Sequence, residues 1–161
     1  MVSSNSTGGF HPETLYDLAL KTNGFCVFSD DDQLVWVVGT PVLNRAYLVY
    51  SANAEVYGNQ MVHLPEMNLP GNCRNWFSAT IQDNDLMGSA LYEWGADYKL
   101  GLLQGASFGS GSGNFRESSF SLDNKNYNIS LTCKFEDTKT RRLMFRVYFY
   151  CPIDYWLPFI D

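Results

Sequence analysis

The chain has 161 residues and a formal net charge of -6, and it is long enough to bury one full core without metal or disulfide support. The acidic balance argues against a nucleic-acid backbone or an anionic membrane as the main partner, and no apolar run reaches the length of a membrane span. Aromatic residues make up 16% of the chain, and that share beside many Gly, Asn, Asp and Ser suits an all-β protein.

Residues 1–9 are polar, lack the basic start and apolar centre of a signal peptide, and read as a disordered tail ahead of a single domain over 10–161. With Met1 as the native start, the protein is expected in the cytoplasm; for an excised domain that inference lapses. A short helix is expected over 12–22. Pro12 opens it, Glu13 and Asp17 lie toward its positive end, Leu15, Leu18 and Ala19 form its apolar stripe, and Asn23-Gly24 ends it. Segments 25–28 and 34–38 read as a hairpin around Asp30-Asp31-Asp32, an acidic turn without the alternating spacing and central Gly of a calcium loop. Strands over 43–50 and 54–57 follow.

The connection 58–75 is long yet apolar, carrying Met61, Val62, Leu64, Met67 and Leu69 among Pro65, Pro70 and Gly71. Such a segment needs cover, as a lid over an opening or as a packed crossover. From Trp76 onward, clusters of turn residues divide the chain into strands over 76–81, 86–94, 98–104, 115–122, 127–135 and 143–151. Their mostly short connections predict an antiparallel up-and-down meander. With the earlier segments this gives about nine or ten strands, enough to close into a barrel that leaves no exposed edge. A β-sandwich or jelly roll is the alternative.

The clearest pattern is the pair of arms over 127–151. Tyr127, Ile129, Leu131, Cys133 and Phe135 alternate with polar residues, and Leu143, Phe145, Val147, Phe149 and Cys151 repeat that period. Paired as a hairpin across an odd loop, the arms bring the two apolar sets onto one face and put Arg146, Tyr148 and Tyr150 on the other, an exposed amphipathic face. Cys133 and Cys151 then lie roughly 20 Å apart, too far for a disulfide. Lys139, Arg141 and Arg142 read as a solvated turn. Cys26, Cys73, Cys133 and Cys151 are irregularly spaced with no C-x-x-C pair, so they are expected to be reduced and mostly buried. Asn5-Ser6-Thr7 and Asn128-Ile129-Ser130 have the form of glycosylation acceptors. The apolar C-terminal tail 152–161, with Tyr155 and Trp156, is expected to pack along the barrel or its mouth, or to contact another chain.

Chemistry is sparse. The histidines are His11 and His63, no nucleophile, phosphate-loop or metalloprotease motif is present, and Gly109 to Gly113 reads as a flexible turn. No metal or cofactor is expected, and the protein reads as non-enzymatic; an enzyme using His63 as acid or base is a further rival. The leading reading is a β-barrel holding a small apolar ligand. Gly88 and Ala90 leave room inside, Tyr92, Trp94, Tyr98 and Leu100 line the pocket, and Met61 and Met67 stand near its mouth. This architecture resembles the lipocalin and fatty-acid-binding barrels without the Gly-x-Trp start of many lipocalins, since Gly24 and Phe25 are followed by Cys26. The alternative is a surface-binding β-sandwich, lectin-like, viral attachment or inhibitor-type. It would recognise glycan or protein through exposed Trp76, Tyr148, Tyr150, Tyr155 and Trp156, with Arg146 beside them. Oligomeric state is left open.

Overall fold

The computed structural model describes residues 13–24, 26, 46–81, 91–98, 101–108, 115–135 and 137–153. One helix, α1 (Glu13–Lys21), precedes strands β1 (Tyr47–Val56), β2 (Asn59–His63), β3 (Met67–Asn68), β4 (Cys73–Ile81), β5 (Leu91–Tyr98), β6 (Gly101–Phe108), β7 (Phe115–Leu122), β8 (Asn126–Lys134) and β9 (Arg141–Phe149). Among the described residues every strand pair is antiparallel. The strands divide into one sheet ordered β1-β9-β4-β7 and a second ordered β2-β8-β5-β6, with β3 also pairing β8. The fold is therefore all-β and antiparallel with one short helix, as its composition implies, and two sheets enclosing one core make it a β-sandwich.

Period-two alternation builds that core. Phe77 and Ala79 of β4 and Leu143, Phe145, Val147 and Phe149 of β9 supply one side, and Tyr127, Ile129, Leu131 and Cys133 of β8 supply the other. Burying each large side chain contributes roughly 1.5 to 3 kcal/mol. The rings of Phe77 and Phe145 lie 6.1 Å apart, and Tyr50 meets Phe145 edge-on at 6.3 Å. Burial pushes the Cys133 thiol up to about 11, so it stays protonated in the core.

Several expectations are corrected. The 127–151 hairpin does not form, because β8 and β9 lie in opposite sheets and residues 137–140 cross between them. Alternation states which face of a strand is dry, and both arms do turn that face inward, but it names no partner. Nor is there a meander. β9 is inserted between β1 and β4, and β7 pairs with β4 rather than with β6 or β8. Among the expected neighbours β5 and β6 do pair, although the turn expected near 95–97 lies within β5. Among the described residues the strands form two sheets and no closed barrel is seen, and the strands expected at 43–50 and 54–57 are, where described, one strand.

The connection 58–75 is a packed crossover carrying β2 and β3, with Leu64, Met67 and Leu69 buried in the core. Gly58 takes φ +51, a left-handed conformation that lets the chain leave β1 and enter the opposite sheet. The Tyr50 hydroxyl donates to the Pro65 carbonyl at 2.6 Å and holds the crossover down. Cys73 and Cys151 are joined in a disulfide rather than reduced, their Cα atoms 6.1 Å apart. Neighbouring β4 and β9 bring them together across 78 residues of sequence, a proximity that sequence spacing alone could not reveal. Cys26 and Cys133 take no part in the disulfide and are buried thiols, as expected. The 25–38 hairpin, the 1–9 tail, Gly88, Ala90 and the aromatic part of the C-terminal tail lie outside the described residues.

Candidate functional site

The two sheets present different outer faces. That of β1-β9-β4-β7 is largely covered. The face of α1 carrying Tyr16 and Ala19 packs with Cys26 on Met144, while Leu18, expected in the apolar stripe, is exposed. The helix closes with Asn23 at φ 54 and a hydrogen bond from Gly24 N to Ala19 O, the left-handed C-terminal cap expected at Asn23-Gly24.

Arg146 clamps this cap. Its Nε donates to the carbonyls of Asn23 at 2.9 Å and Gly24 at 3.1 Å. Nη1 donates to Ala52 and Phe145 carbonyls, and Nη2 to Asn53 Oδ1. The side chain is 0% exposed, so the surface role expected for Arg146 is corrected to an internal one. Burial lowers its pKa to about 10, yet it remains charged at neutral pH beside the negative end of the α1 dipole. Ser51 Oγ reinforces the clamp by donating to Asn23 Oδ1. At the helix surface Arg142 pairs with Asp17.

The other expected anchors on this face are also covered. Trp76 is 2% exposed, its ring 5.0 Å from that of buried Tyr148. Burial pushes the Tyr148 hydroxyl up to about 12. Tyr150 is half-buried, with the Arg74 guanidinium 6.0 Å from its ring, and Tyr155 and Trp156 lie outside the described residues. The basic turn is not wholly solvated either. Arg141 is buried over the Phe135 ring at 4.4 Å and forms a two-pronged ion pair with Asp137, at 2.7 and 2.8 Å. That bond from Arg141 holds the Asp137 carboxyl at about 2, below its ordinary 3.8.

The second sheet is open along β2 and β8. Asn59, Met61 and His63 are exposed opposite Lys134, Thr132 and Ser130, and Asn128 continues the row. Ser130 and Thr132 are half-buried, while Asn128 and Lys134 are exposed. Met61 is 61% exposed, and Tyr57, at the corner before Gly58, is 53% exposed. One open strip thus combines hydroxyls, amides, an imidazole and an ammonium with the Met61 thioether at its middle, opposite Thr132, and exposed Tyr57 lies two residues before Asn59.

Of the expected pocket residues, the two methionines are separated. Met67 is 0% exposed inside the core, whereas Met61 points to solvent. Tyr92 and Trp94 are opposite Cys133 and Leu131 in the sheet register, Tyr98 ends β5, and Leu100 lies outside the described residues. His63 is exposed, and among the described residues no three His, Cys, Asp or Glu side chains group to hold a metal. Tyr57, Thr132 and Lys134 were not singled out from the sequence. The polar half of the 127–135 alternation, whose wet face is the strip, was the available signal.

These features define two packed antiparallel sheets, one with α1 docked on its outer face at Met144 and Arg146 and the other open and polar along β2 and β8. The chain belongs to the family described as Domain of unknown function (DUF7154), which matches residues 52–150. No curated protein matches it in sequence. Among solved structures it is similar to a carbohydrate-binding module of Cellvibrio mixtus lichenase 5A in complex with cellotriose. The identity is 7% over 63% of this chain and 97% of that one, with a TM-score of 0.42. It is also similar to the C-terminal CBM6 module of a marine laminarinase from Zobellia galactanivorans, at 8% identity over 63% and 92% of the chains and a TM-score of 0.44. A capsid protein of the Helicobacter pylori bacteriophage KHP30 is 15% identical over 62% and 86% of the chains, with a TM-score of 0.40. At these scores the likenesses carry no argument about function, which rests on the side chains described above.

Proposed function

We propose that this protein is a non-enzymatic β-sandwich module that binds a carbohydrate on the open face of β2 and β8. The observation that carries this reading is the contrast between a packed interior and an exposed polar strip centred on Met61 and Thr132, with exposed Tyr57 just before its Asn59 end. A sugar offers hydroxyls that exchange hydrogen bonds with Thr132, Asn59 and Lys134, and an apolar C–H face that rests on an aromatic or thioether side chain. The net charge of -6 favours a neutral saccharide over a polyanionic one. The Cys73–Cys151 disulfide favours an oxidising compartment over the cytoplasm.

A glycan array followed by calorimetry tests the reading. Tyr57→Ala and Thr132→Ala should each weaken saccharide binding about tenfold, or about 1.4 kcal/mol, with the fold unchanged. Absence of saccharide binding, or binding that ignores both substitutions, would overturn it.

A further inference from the structure

We propose that Asn128 carries an N-linked glycan, a modification separate from the saccharide-binding role above. Three observations meet at this residue. Asn128-Ile129-Ser130 satisfies the acceptor triplet, with Ile rather than Pro in the middle. Strand β8 turns Ile129 into the core and leaves Asn128 exposed on the outer face, where its side chain makes no hydrogen bond with the described residues. The Cys73–Cys151 disulfide is independent of the triplet and fits the oxidising compartment in which such transfer takes place.

The donor is a lipid-pyrophosphate-linked oligosaccharide, and the catalyst is a separate transferase. The Asn128 amide nitrogen forms a bond to the anomeric carbon of the first sugar as the bond from that carbon to the pyrophosphate oxygen breaks. The lipid pyrophosphate leaves with the electron pair, and the amide nitrogen loses one proton to a base of the transferase. No oxidation occurs. The folded product is accommodated because the new substituent projects from a wet sheet face and displaces no internal contact. Asn128 lies four residues along β8 from Thr132, about 13 Å. The glycan therefore sits at the Ser130 end of the strip and leaves the Asn59 and Lys134 end open.

The test is a non-reducing peptide map of the full protein recovered from its source cells, treated with an amidase that removes N-glycans in heavy-oxygen water. Heavy-oxygen aspartate at position 128 in wild type, lost in Ser130→Ala and retained in Ser130→Thr, is the expected result. Unmodified Asn128 in wild type overturns the proposal, as does a label that survives Ser130→Ala. The saccharide-binding reading is scored separately by the array, so either can fail without the other.

Discussion

Replacing Arg146 with Met removes the guanidinium but keeps much of the volume of its stem. Five acceptors then lose the donor described for them: the carbonyls of Asn23, Gly24, Ala52 and Phe145, and Asn53 Oδ1, of which the Ala52 and Phe145 bonds are fully buried. Each buried acceptor left unpaired costs about 1 to 3 kcal/mol. Against this stands relief from desolvating the charge. The lowering from 12.5 to about 10 corresponds to about 3 kcal/mol at roughly 1.4 kcal/mol per pKa unit. The orphaned acceptors outweigh that relief, for a net loss of about 3 to 5 kcal/mol, as is usual when a buried charged network is broken. A domain of this size should then melt about 10 °C lower. Hydrogen exchange adds a local readout, since protection of residues 13–24 should fall further than that of β8. Arg146→Lys should be intermediate, because an ammonium cannot reproduce the planar fork that reaches the helix cap and β1 together. An Arg146→Met protein with wild-type melting and unchanged exchange over 13–24 would refute the clamp.

Other consequences follow from the same packing. Reduction, or Cys73→Ala with Cys151→Ala, should cost about 4 kcal/mol for a loop of this length, read as a lower urea midpoint; an unchanged midpoint would mean the disulfide contributes nothing. Asp137 has a depressed pKa, so its stabilisation is fully present above pH 3.8 and is lost as pH falls through about 2. Urea midpoints measured across that window should fall in wild type and be flatter in Asp137→Asn, and parallel curves would contradict the ion pair. Met67→Ala should cost about 2 to 5 kcal/mol by opening a core cavity, whereas Met61→Ala should stay within about 0.5 kcal/mol. Similar denaturation midpoints for the two variants would reverse their placement inside and outside the core.

The faces of the strands were legible, and their neighbours were not. Ile129, Leu131, Phe145 and Val147 announce a dry side because period two is a local property. Insertion of β9 between β1 and β4 depends on which crossover buries more surface, which no local pattern records. The same limit hid the disulfide, since Cys73 and Cys151 meet only once β4 and β9 are adjacent. Arg146 was misplaced for a different reason. A strand face holding Met144, Arg146 and Tyr148 looks amphipathic, and its burial comes from distant parts of the chain: α1 on Met144, the helix cap on Arg146 and Trp76 beside Tyr148. The open strip was half legible: the polar positions of 127–135 were read as wet, but β2 lay hidden in a segment taken for a connection.

The most direct test of the central claim is a saccharide titration of isotope-labelled protein followed by backbone amide shifts. Changes concentrated at 57–63 and 130–134, needing about tenfold more saccharide in Tyr57→Ala, are the predicted result. Changes centred on core positions outside the strip, such as Met67 and Phe77, or none with any saccharide, would contradict recognition on the open sheet face.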